Sequence, residues 1–492
     1  MEGELESATP TLVQTPARRV TPQPTNQPTQ QSSRIQKPSA KMRQIQAGEG
    51  SPDGGPGNFT SKQLTLIASR KEEVHAYHTS LDYAGHDPLG NPQTVKEAMA
   101  SPDWLLWKVA MDSEIQSLQN AKTWRKTAQP AHRKVVGNRW VFRKKRKADG
   151  SIEKYKARLV ARGFTQIPGL NYTETYAPVA CMASFRTILA LAARQDWEVD
   201  AFDFNSAYLN GELRENEEIY MEEPPSYETP GEQSVVCLQK AIYRLKQAGQ
   251  KWYDALSHIL TDIGFSVSRA DPGVFVAREG EHILILAAHI DDCVITGSSP
   301  ELIKDFKMKL NSRYALTDLG PVQWLLSIKV TRNHEARTIS LSQEGYITSI
   351  LERFSLQNAK AVDTPMLPSV SYSKRDSPAN DTERERMARV PYREAIGSLM
   401  YTSIATCPDI TFAVSTLSQF LDDPGEAHWE AVKRVYRYLS RTRDLALTYG
   451  GDKHKLRGHT DADGASQEHR CTISRYCYSI DGGTVTWSSK KQ

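Results

Sequence analysis

Two adjacent aspartates, Asp291 and Asp292, stand between two apolar runs of the chain. The run HILILAA precedes them and the run CVITG follows them, so the pair is predicted to lie in a tight turn between two buried strands. Neighbouring carboxylates repel each other and lose water beside a buried sheet, so a compensating cation is expected. A metal site is therefore the first chemistry that this stretch indicates.

A third carboxylate, Asp203, ends another strand-like run, EVDAFDFN. If the two strands are neighbours in one sheet, the three aspartates form a cluster of hard oxygen donors that suits Mg²⁺. Two such ions roughly 3.5 to 4 Å apart can activate a 3′-hydroxyl and stabilise a leaving pyrophosphate, which is nucleotidyl transfer. The residues alone leave another interpretation open, because strand-end aspartates also cap helices and pair with arginines.

The pair Asp422-Asp423 provides a comparison within the same chain. It is followed by Pro424-Gly425 and has no apolar strand after it, so we interpret it as a solvated turn. The difference between the two pairs is the apolar sequence around them, and this context makes Asp291-Asp292 the candidate site.

The elements that must position these groups belong to a chain of 492 residues, long enough for several domains. Hydrophobic residues make up 39% and charged residues 24%, as in a globular protein, and no apolar run reaches the length that crosses a bilayer, so no membrane partner is expected. Six scattered cysteines without a signal peptide favour reduced thiols in an intracellular compartment. No Cys or His spacing typical of zinc binding occurs.

Several segments have clear local signals. Residues 1–85 open with a Pro-, Gln-, Thr- and Ser-rich stretch that reads as a tail or linker. Residues 95–120 are predicted to form two short helices interrupted at Ser101-Pro102, and another helix is predicted to begin at Ser299-Pro300. The stretch EAHWEAVKRVYRYL predicts a helix whose apolar residues belong to the core.

A basic hairpin is predicted in NRWVFRKKRKADGSIEKYKARLVARGF, where Ala-Asp-Gly separates two strand-like runs. Strand side chains alternate, so Lys154, Lys156 and Arg158 share one face. Two interpretations stay open from this stretch alone: a solvated hairpin whose lysines maintain solubility, or a cationic surface that binds an anionic ligand.

Ordered blocks over roughly residues 88–492 resemble the polymerase part of a copia-type retrotransposon Pol polyprotein. They are the hairpin above and the stretches DFNSAYLNG, KAIYRLKQAGQKWY, HIDDCVITG, LSQEGYI, GSLMYTSIATCPDITFAVSTLSQF and WSSKKQ. The resemblance implies an α+β fold, a right-hand polymerase with fingers, palm and thumb, a connection region and an incomplete RNase H-like domain. The implied division is 86–297 for fingers and palm, 298–450 for thumb and connection, and 451–492 for the truncated RNase H-like start.

The resemblance also implies roles for individual residues. Asp203, Asp291 and Asp292 match the catalytic, metal-binding aspartates, with Asp292 in a more supporting role. Tyr208 matches an aromatic residue that packs under the incoming sugar and would collide with a 2′-hydroxyl. The expected nucleotide-binding residues are Lys156, Arg158, Tyr208, Lys246 and Gln247, and His289, in place of the usual tyrosine, is expected to contact the primer.

Three positions depart from the glycine that is usual in the family: Arg244, Ser327 and Arg475. A left-handed backbone or a close substrate contact at Arg244 would impair activity. The function implied is therefore RNA-directed DNA polymerisation, and the alternative is a decayed, inactive remnant that still binds nucleic acid.

The last stretch resembles the opening strands of an RNase H domain, and Asp461 is the better match to its first metal-binding carboxylate. Since the chain stops at Gln492, before the later acidic residues of that domain, no RNase H activity is expected and Asp461 is interpreted as vestigial. A metal-dependent hydrolase using the aspartates is disfavoured, because no water-activating base accompanies them.

The partners and location follow from the resemblance as well. They are Mg²⁺ (with Mn²⁺ as a substitute), an RNA template, a DNA or tRNA-like primer and deoxynucleoside triphosphates, with no oligomeric state implied. The implied location is intracellular, in a cytoplasmic virus-like particle or the nucleus.

Overall fold

The computed structural model describes residues 90–130, 133–146, 151–214, 217–229, 234–368, 370–451, 455–463 and 472–491. The predicted tail, residues 1–85, and the predicted hairpin turn at Ala148–Gly150 lie outside the described residues. Among the described residues, helices and mainly antiparallel sheets form a mixed α/β arrangement. No helix in this described part has the length and apolar composition needed to span a membrane.

The helices are α1 (Val95–Ala100), α2 (Trp104–Asn120), α3 (Met182–Gln195), α4 (Ala248–Asp262), α5 (Pro300–Asn311), α6 (Glu344–Arg353), α7 (Asp381–Ala388), α8 (Tyr392–Ala405), α9 (Thr411–Leu417) and α10 (Glu426–Thr442). Short 3₁₀ turns occur at Gly163–Thr165, Ala207–Asn210, Lys374–Asp376, Pro408–Ile410 and Ser418–Phe420. The break between α1 and α2 confirms the two helices predicted over 95–120. Ser299 caps α5 by accepting a hydrogen bond from Leu302 N, as the Ser-Pro signal predicted.

The strands are β1 (Trp124–Ala128), β2 (Val135–Val136), β3 (Asn138–Arg146), β4 (Ile152–Ala161), β5 (Val199–Phe204), β6 (Ile219–Glu222), β7 (Ser234–Leu238), β8 (Ser266–Val267), β9 (Val274–Glu279), β10 (His282–His289), β11 (Asp292–Gly297), β12 (Leu316–Pro321), β13 (Trp324–Leu325), β14 (Ile328–Asn333), β15 (Thr338–Ser342), β16 (Leu447–Gly450), β17 (Leu456–Asp463), β18 (Ile473–Ile480) and β19 (Gly483–Lys491).

A six-stranded sheet, called the central sheet here, has the order β12-β5-β11-β10-β9-β8. Its pairs are antiparallel, and both faces are covered. Side chains alternate along β5, so Phe202 packs with α4 and α5 while Val199 and Ala201 pack with α3. Burial on both faces explains why the strands read as nearly continuous apolar runs.

The basic hairpin, β3 paired with β4, packs its apolar face onto α2. Trp107 and Met111 of α2 are fully buried against Ala157 and Leu159 of β4. The predicted alternation of the second strand is therefore confirmed, because the apolar positions face the core and the basic ones face the other way. A neighbouring sheet, β1-β7-β6-β2, completes this core.

The remaining described residues form two further sheets and a helical cluster. Strands β13 to β16 make one sheet, and α6 packs with α8, α9 and α10 around residues that include Val432, Val435, Tyr436 and Leu439, which confirms their predicted core position. Strands β17 to β19 form a three-stranded sheet.

The sheet of β17 to β19, called the C-terminal sheet here, packs against α3, the helix that covers one face of the central sheet. Arg186 of α3 is buried and donates hydrogen bonds to the carbonyl of Val485 at 2.7 Å and to those of Ile404 and Ala405 at 2.7 and 2.8 Å. Its guanidinium also lies 3.9 Å from the ring of Trp487. The C-terminal sheet therefore shares buried contacts with the helix that covers the central sheet.

Candidate functional site

The three candidate aspartates meet at one end of the central sheet. Strands β5 and β11 are antiparallel neighbours, and Asp203 stands directly opposite Asp292 in the register. Directly opposed residues of an antiparallel pair point to the same face, so these carboxylates lie on one side of the sheet. Asp291 occupies the adjoining turn, and its carbonyl accepts a hydrogen bond from Phe204 N at 3.1 Å. The register thus brings together Asp203 and Asp292, which are 89 positions apart in sequence.

The turn that carries Asp291 has a strained backbone. His289 pairs with Asp292, so Ile290 and Asp291 form a two-residue connection between β10 and β11. Ile290 has φ +63°, which is unfavourable for a β-branched residue. Trp252 of α4 donates from its indole nitrogen to the carbonyl of Ile290 at 2.7 Å, which holds the turn in place. A fixed turn of this kind gives Asp291 a defined position.

The protein provides little positive charge to offset the negative charges of the three carboxylates. Burial, followed by repulsion from Asp291, raises the pKa of Asp203 to about 6, while Lys156, Lys145 and Arg158 act in the opposite direction. The Asp292 side chain is solvent-accessible, yet the protein around it weakens the solvation of its charge. This effect, with repulsion from Asp291 and Asp203, raises the pKa of Asp292 to about 7.

The donor chemistry at this cluster fits a hard divalent cation. Within the described part of the chain, none of the three carboxylates takes part in a hydrogen bond or ion pair through its oxygens. The same described residues contain no group of three or more His, Cys, Asp or Glu arranged to hold a metal ion. The three carboxylates therefore do not form a preformed ligand set in this structure, and only their hard oxygen donors, the type that Mg²⁺ prefers, suggest a divalent cation here.

The basic hairpin presents a cationic face whose charges act on the carboxylate cluster. Arg143 pairs with Lys156, and Lys145 pairs with Lys154, so like charges stand opposite each other across the strands. Such pairs are destabilising unless an anion lies between them. Burial, then repulsion from Arg158 and Lys145, lowers the pKa of Lys156 to about 8. The charge of Asp203 acts to raise the pKa of Lys156, and the charge of Lys156 acts to lower the pKa of Asp203. The two side chains are therefore close enough to interact electrostatically.

Tyr208 follows Asp203 on the 3₁₀ turn Ala207–Asn210 and is half-buried. Its ring lies edge-to-face with that of Tyr243, with centroids 5.3 Å apart and an interplanar angle of 84°. The guanidinium of Arg158 lies 5.1 Å from the centroid of the Tyr243 ring. The Nε atom of Arg158 is buried and has no hydrogen-bond partner among the described residues. Predicted residues from the hairpin and from the 3₁₀ turn thus meet at Tyr243, which the sequence did not single out.

Lys246 and Gln247 occupy different environments. Lys246 is exposed, whereas Gln247 is 0% exposed. The Gln247 amide accepts a hydrogen bond from Gln166 at 3.0 Å and donates to the carbonyl of Asn171 at 2.9 Å. A side chain without exposed surface has no room to contact a nucleotide in this conformation, so direct contact by Gln247 stays a prediction that its burial does not favour. Its amide instead links the start of α4 to the segment after the basic hairpin.

His289 is also less accessible than expected, since it is 5% exposed. An imidazole with so little free surface offers no broad face to a primer backbone. Primer contact by His289 therefore stays a prediction that this geometry does not favour.

The usual glycine positions differ in their backbone conformations. Arg244 has φ +67° and Ser327 has φ +65°, the left-handed region that favours glycine. The Arg244 carbonyl lies only 2.0 Å from the position that a Cβ on Gly163 would take, so the turn around Arg244 packs tightly on the end of β4. Arg475 lies within the regular strand β18, opposite Asp461. Backbone strain from a left-handed conformation therefore occurs at Arg244 and Ser327 but not at Arg475.

Asp461 lies on β17, away from the central sheet. Its carboxylate is exposed and forms an ion pair with Arg475, with Nη1 and Oδ2 3.4 Å apart. Asp461 is therefore already paired with a cation of the same sheet.

Glu114 is a half-buried residue near the site that sequence reasoning missed. One of its carboxylate oxygens accepts a hydrogen bond from Leu159 N of β4 at 3.2 Å. Burial raises its pKa, while that hydrogen bond and the charges of Arg158 and Lys156 lower it. Nothing in its helical context in α2 distinguishes Glu114 from a solvated glutamate, because the contact to β4 exists only in the folded chain.

Comparison with known proteins decides the family. The family model described as reverse transcriptase (RNA-dependent DNA polymerase) matches residues 121–368, half of the chain, and this range contains all three aspartates. The chain belongs to the reverse transcriptase family.

Three relatives of this chain come from plant transposons. The chain is 40% identical over 404 residues to the retrovirus-related Pol polyprotein from transposon TNT 1-94 of Nicotiana tabacum, covering 82% of this chain and 30% of that one. The Pol polyproteins from transposons RE1 and RE2 of Arabidopsis thaliana are each 36% identical, with 82% and 86% of this chain and 27% and 28% of theirs covered. The resemblance to copia-type Pol polyproteins is confirmed, and the chain spans less than a third of these relatives.

Proposed function

We propose that this protein copies RNA into DNA by metal-dependent nucleotidyl transfer. The observation that carries the proposal is the register pairing of Asp203 with Asp292, with Asp291 in the adjoining turn. In this proposal the central sheet is the palm, the basic hairpin belongs to the fingers, and the helical cluster with its sheet forms thumb and connection.

Asp203 and Asp291 would hold the divalent ions, with Asp292 supporting them. When bound, Mg²⁺ would lower the pKa of the primer 3′-hydroxyl and stabilise charge on the phosphates. The chain's own groups provide the position: the strained turn at Ile290, fixed by Trp252, places Asp291, and strand pairing places Asp203. A cation at the cluster also removes the repulsion that raises the pKa of Asp203 and Asp292.

The triphosphate would occupy the space between the cationic face and the aspartates. Lys156 and Arg158 are half-buried on that face, and Lys246 is exposed nearby in the sequence that follows Tyr243. Like charges paired across β3 and β4 would be relieved by the phosphates. Tyr208 would pack under the sugar and exclude a 2′-hydroxyl. Template and primer would be held mainly through their backbones, so binding should weaken with salt.

A second candidate is an inactive remnant that binds nucleic acid without extending a primer. It is favoured by the left-handed backbones at Arg244 and Ser327, where the family usually has glycine, and by the burial of His289. Both candidates predict salt-sensitive binding to a primer-template, so catalysis separates them.

The deciding experiment is primer extension on poly(rA)/oligo(dT) with Mg²⁺ or Mn²⁺, accompanied by a gel-shift measurement. The parent should extend the primer, and Asp291→Asn should abolish extension while leaving primer-template binding nearly unchanged. Asp422→Asn, in the exposed Asp-Asp pair of the same chain, is the matched control and should extend like the parent. Equal extension by Asp291→Asn and the parent would refute the site, and binding without extension by the parent would favour the remnant.

We also propose that this segment does not hydrolyse RNA at Asp461, since that carboxylate is paired with Arg475. Incubation with an RNA–DNA hybrid tests this, and cleavage that is lost in Asp461→Asn would contradict it. A virus-like particle or the nucleus is proposed as the location on family likeness alone.

A further inference from the structure

Tyr243 connects two parts of the candidate site that the sequence keeps apart. Its carbonyl accepts a hydrogen bond from Ala161 N, at the end of β4, at 3.0 Å. Its ring has Arg158 of the same strand at 5.1 Å on one side and the edge-to-face ring of Tyr208 at 5.3 Å. One residue therefore touches both the proposed triphosphate-binding strand and the proposed sugar-contacting residue.

The position of Tyr243 is itself fixed by its surroundings. The turn that follows it is held by a hydrogen bond from Lys246 N to Gln166 at 2.8 Å and by the Gln166–Gln247 pair. Close packing between Gly163 and the Arg244 carbonyl leaves this turn no space to shift toward β4. The backbone that carries the Tyr243 ring is thus held in place by its neighbours.

Tyr208 packs against this ring. Its 3₁₀ turn lies between two hydrophobic cores, with Ala207 buried in one and Leu209 in the other, and the Tyr208 ring packs at their boundary. The ring is half-buried, so one side of it remains available to a ligand. An edge-to-face partner favours one orientation of such a ring.

We propose that Tyr243 is a positioning residue for sugar selection: it holds the Tyr208 ring against the incoming nucleotide and ties that ring to Arg158 of the basic hairpin. This inference rests on the proposed polymerase function and extends it to a residue outside the aspartate cluster. Removal of the Tyr243 ring should let the Tyr208 ring move and admit a 2′-hydroxyl.

The test measures the ratio of kcat/KM for dTTP to that for rUTP during extension of poly(rA)/oligo(dT). Tyr243→Leu should lower this ratio about three- to tenfold, the range set by loss of one edge-to-face ring contact. Tyr243→Phe, which keeps the ring, should restore the ratio to within about twofold of the parent. Tyr208→Ala gives the dTTP/rUTP ratio of a protein that lacks the proposed sugar-contacting ring.

A matched control removes a similar ring contact far from the site. Tyr346 and Tyr401 lie edge-to-face with centroids 4.8 Å apart among the residues that pack near α6 and α8. Tyr346→Leu should leave the dTTP/rUTP ratio unchanged even if it lowers thermal stability, so a general loss of packing cannot imitate the Tyr243 effect. If Tyr243→Leu fails to fold, Tyr243→Met fills a comparable volume without a ring and is judged by the same ratio.

The outcomes separate this inference from the proposed function. An unchanged ratio in Tyr243→Leu, with a lowered ratio in Tyr208→Ala, would overturn the role of Tyr243 while leaving polymerisation intact. If the parent does not extend primers, formation of ternary complexes with dTTP or rUTP on a dideoxy-terminated primer measures the same selectivity without chemistry. Loss of that selectivity in Tyr243→Leu would support the inference alone, and absence of ternary complexes with the parent would refute both.

Discussion

Replacing Asp203 by asparagine should stabilise the metal-free protein while abolishing polymerisation. In the absence of a cation, the ionised Asp203 carboxylate is half-buried beside Asp291 and has no hydrogen bond or ion pair within the described residues. Asparagine has nearly the same shape and carries no charge. The substitution therefore removes an electrostatic cost that the folded chain bears at neutral pH.

The size of this effect follows from the pKa of Asp203, which is raised from 3.8 to about 6. At about 1.4 kcal/mol per unit of pKa, the upper limit is about 3 kcal/mol. The side chain is only half-buried, so solvent screening reduces the expected gain in the free energy of unfolding to about 1–2 kcal/mol at pH 8.

The sign of the pH dependence is fixed by linkage. Between about pH 4 and pH 6 the folded protein retains a proton on Asp203 that the unfolded chain releases, so the parent loses stability as pH rises through this window. Below pH 4 the carboxyl is protonated in both states. The gain in Asp203→Asn should therefore be full above about pH 6 and disappear near pH 4.

Urea unfolding followed by tryptophan fluorescence in EDTA, at pH 8 and at pH 4, measures the difference. Asp200→Asn is the matched control on the same strand, because Asp200 forms an ion pair with Lys307 at 2.6 Å. That variant should lose about 1 kcal/mol at pH 8 instead of gaining stability. Added Mg²⁺ should stabilise the parent more than Asp203→Asn, since binding to the folded state alone raises its stability.

Two results would refute this reasoning. One is an Asp203→Asn variant that is less stable than the parent at pH 8 in EDTA, which would make Asp203 a structural partner of the cationic hairpin. The other is a gain of the same size at pH 4 and pH 8, since an effect that does not depend on ionisation has another cause.

Three further predictions follow from other parts of the molecule. Arg244→Gly should raise the rate of primer extension several-fold. It should change the unfolding free energy by only about 0 to +1 kcal/mol, because relief of the left-handed backbone is offset by the entropy of glycine. Ser327→Gly, at a similar φ, should change the unfolding free energy to the same extent. The KM for dTTP should rise several-fold from pH 7 to pH 9 as Lys156, with a pKa lowered to about 8, loses its charge, and Lys156→Arg should remove that rise. Asp481→Asn should lower the unfolding free energy by about 2 kcal/mol in urea denaturation, because its carboxylate is 0% exposed and accepts two hydrogen bonds from Arg194 at 2.7 and 2.8 Å; an unchanged midpoint would contradict this.

Local structure was largely predictable from the sequence. Periodicity and capping signals located the helices at 95–120, at Ser299-Pro300 and at 426–442, and strand alternation identified the buried face of β4. These features depend on neighbours within a few residues, so they are written into short stretches of sequence. The sequence on either side of each pair likewise marked Asp291-Asp292 as a candidate and Asp422-Asp423 as a surface pair.

Contacts between distant segments were not predictable in the same way. The family resemblance implied a nucleotide contact for Gln247, yet its side chain is 0% exposed and hydrogen-bonded to Gln166 and Asn171. Glu114 gave no signal, and Tyr243 lay in the recognised stretch KAIYRLKQAGQKWY without an assigned role, because the partners of both lie on other elements. Burial of His289 was equally hidden, since it depends on the elements packed around the end of β10.

The sequence by itself determined the family, the apolar strands that end in carboxylates and the alternation that creates a cationic face, because each is encoded by the order of neighbouring side chains. Only the tertiary structure decided that Asp203 stands opposite Asp292 and that Tyr243 joins Arg158 to Tyr208. The physical reason is that strand register and helix packing fix distances between residues far apart in the chain, and the free energy that selects them belongs to the whole core.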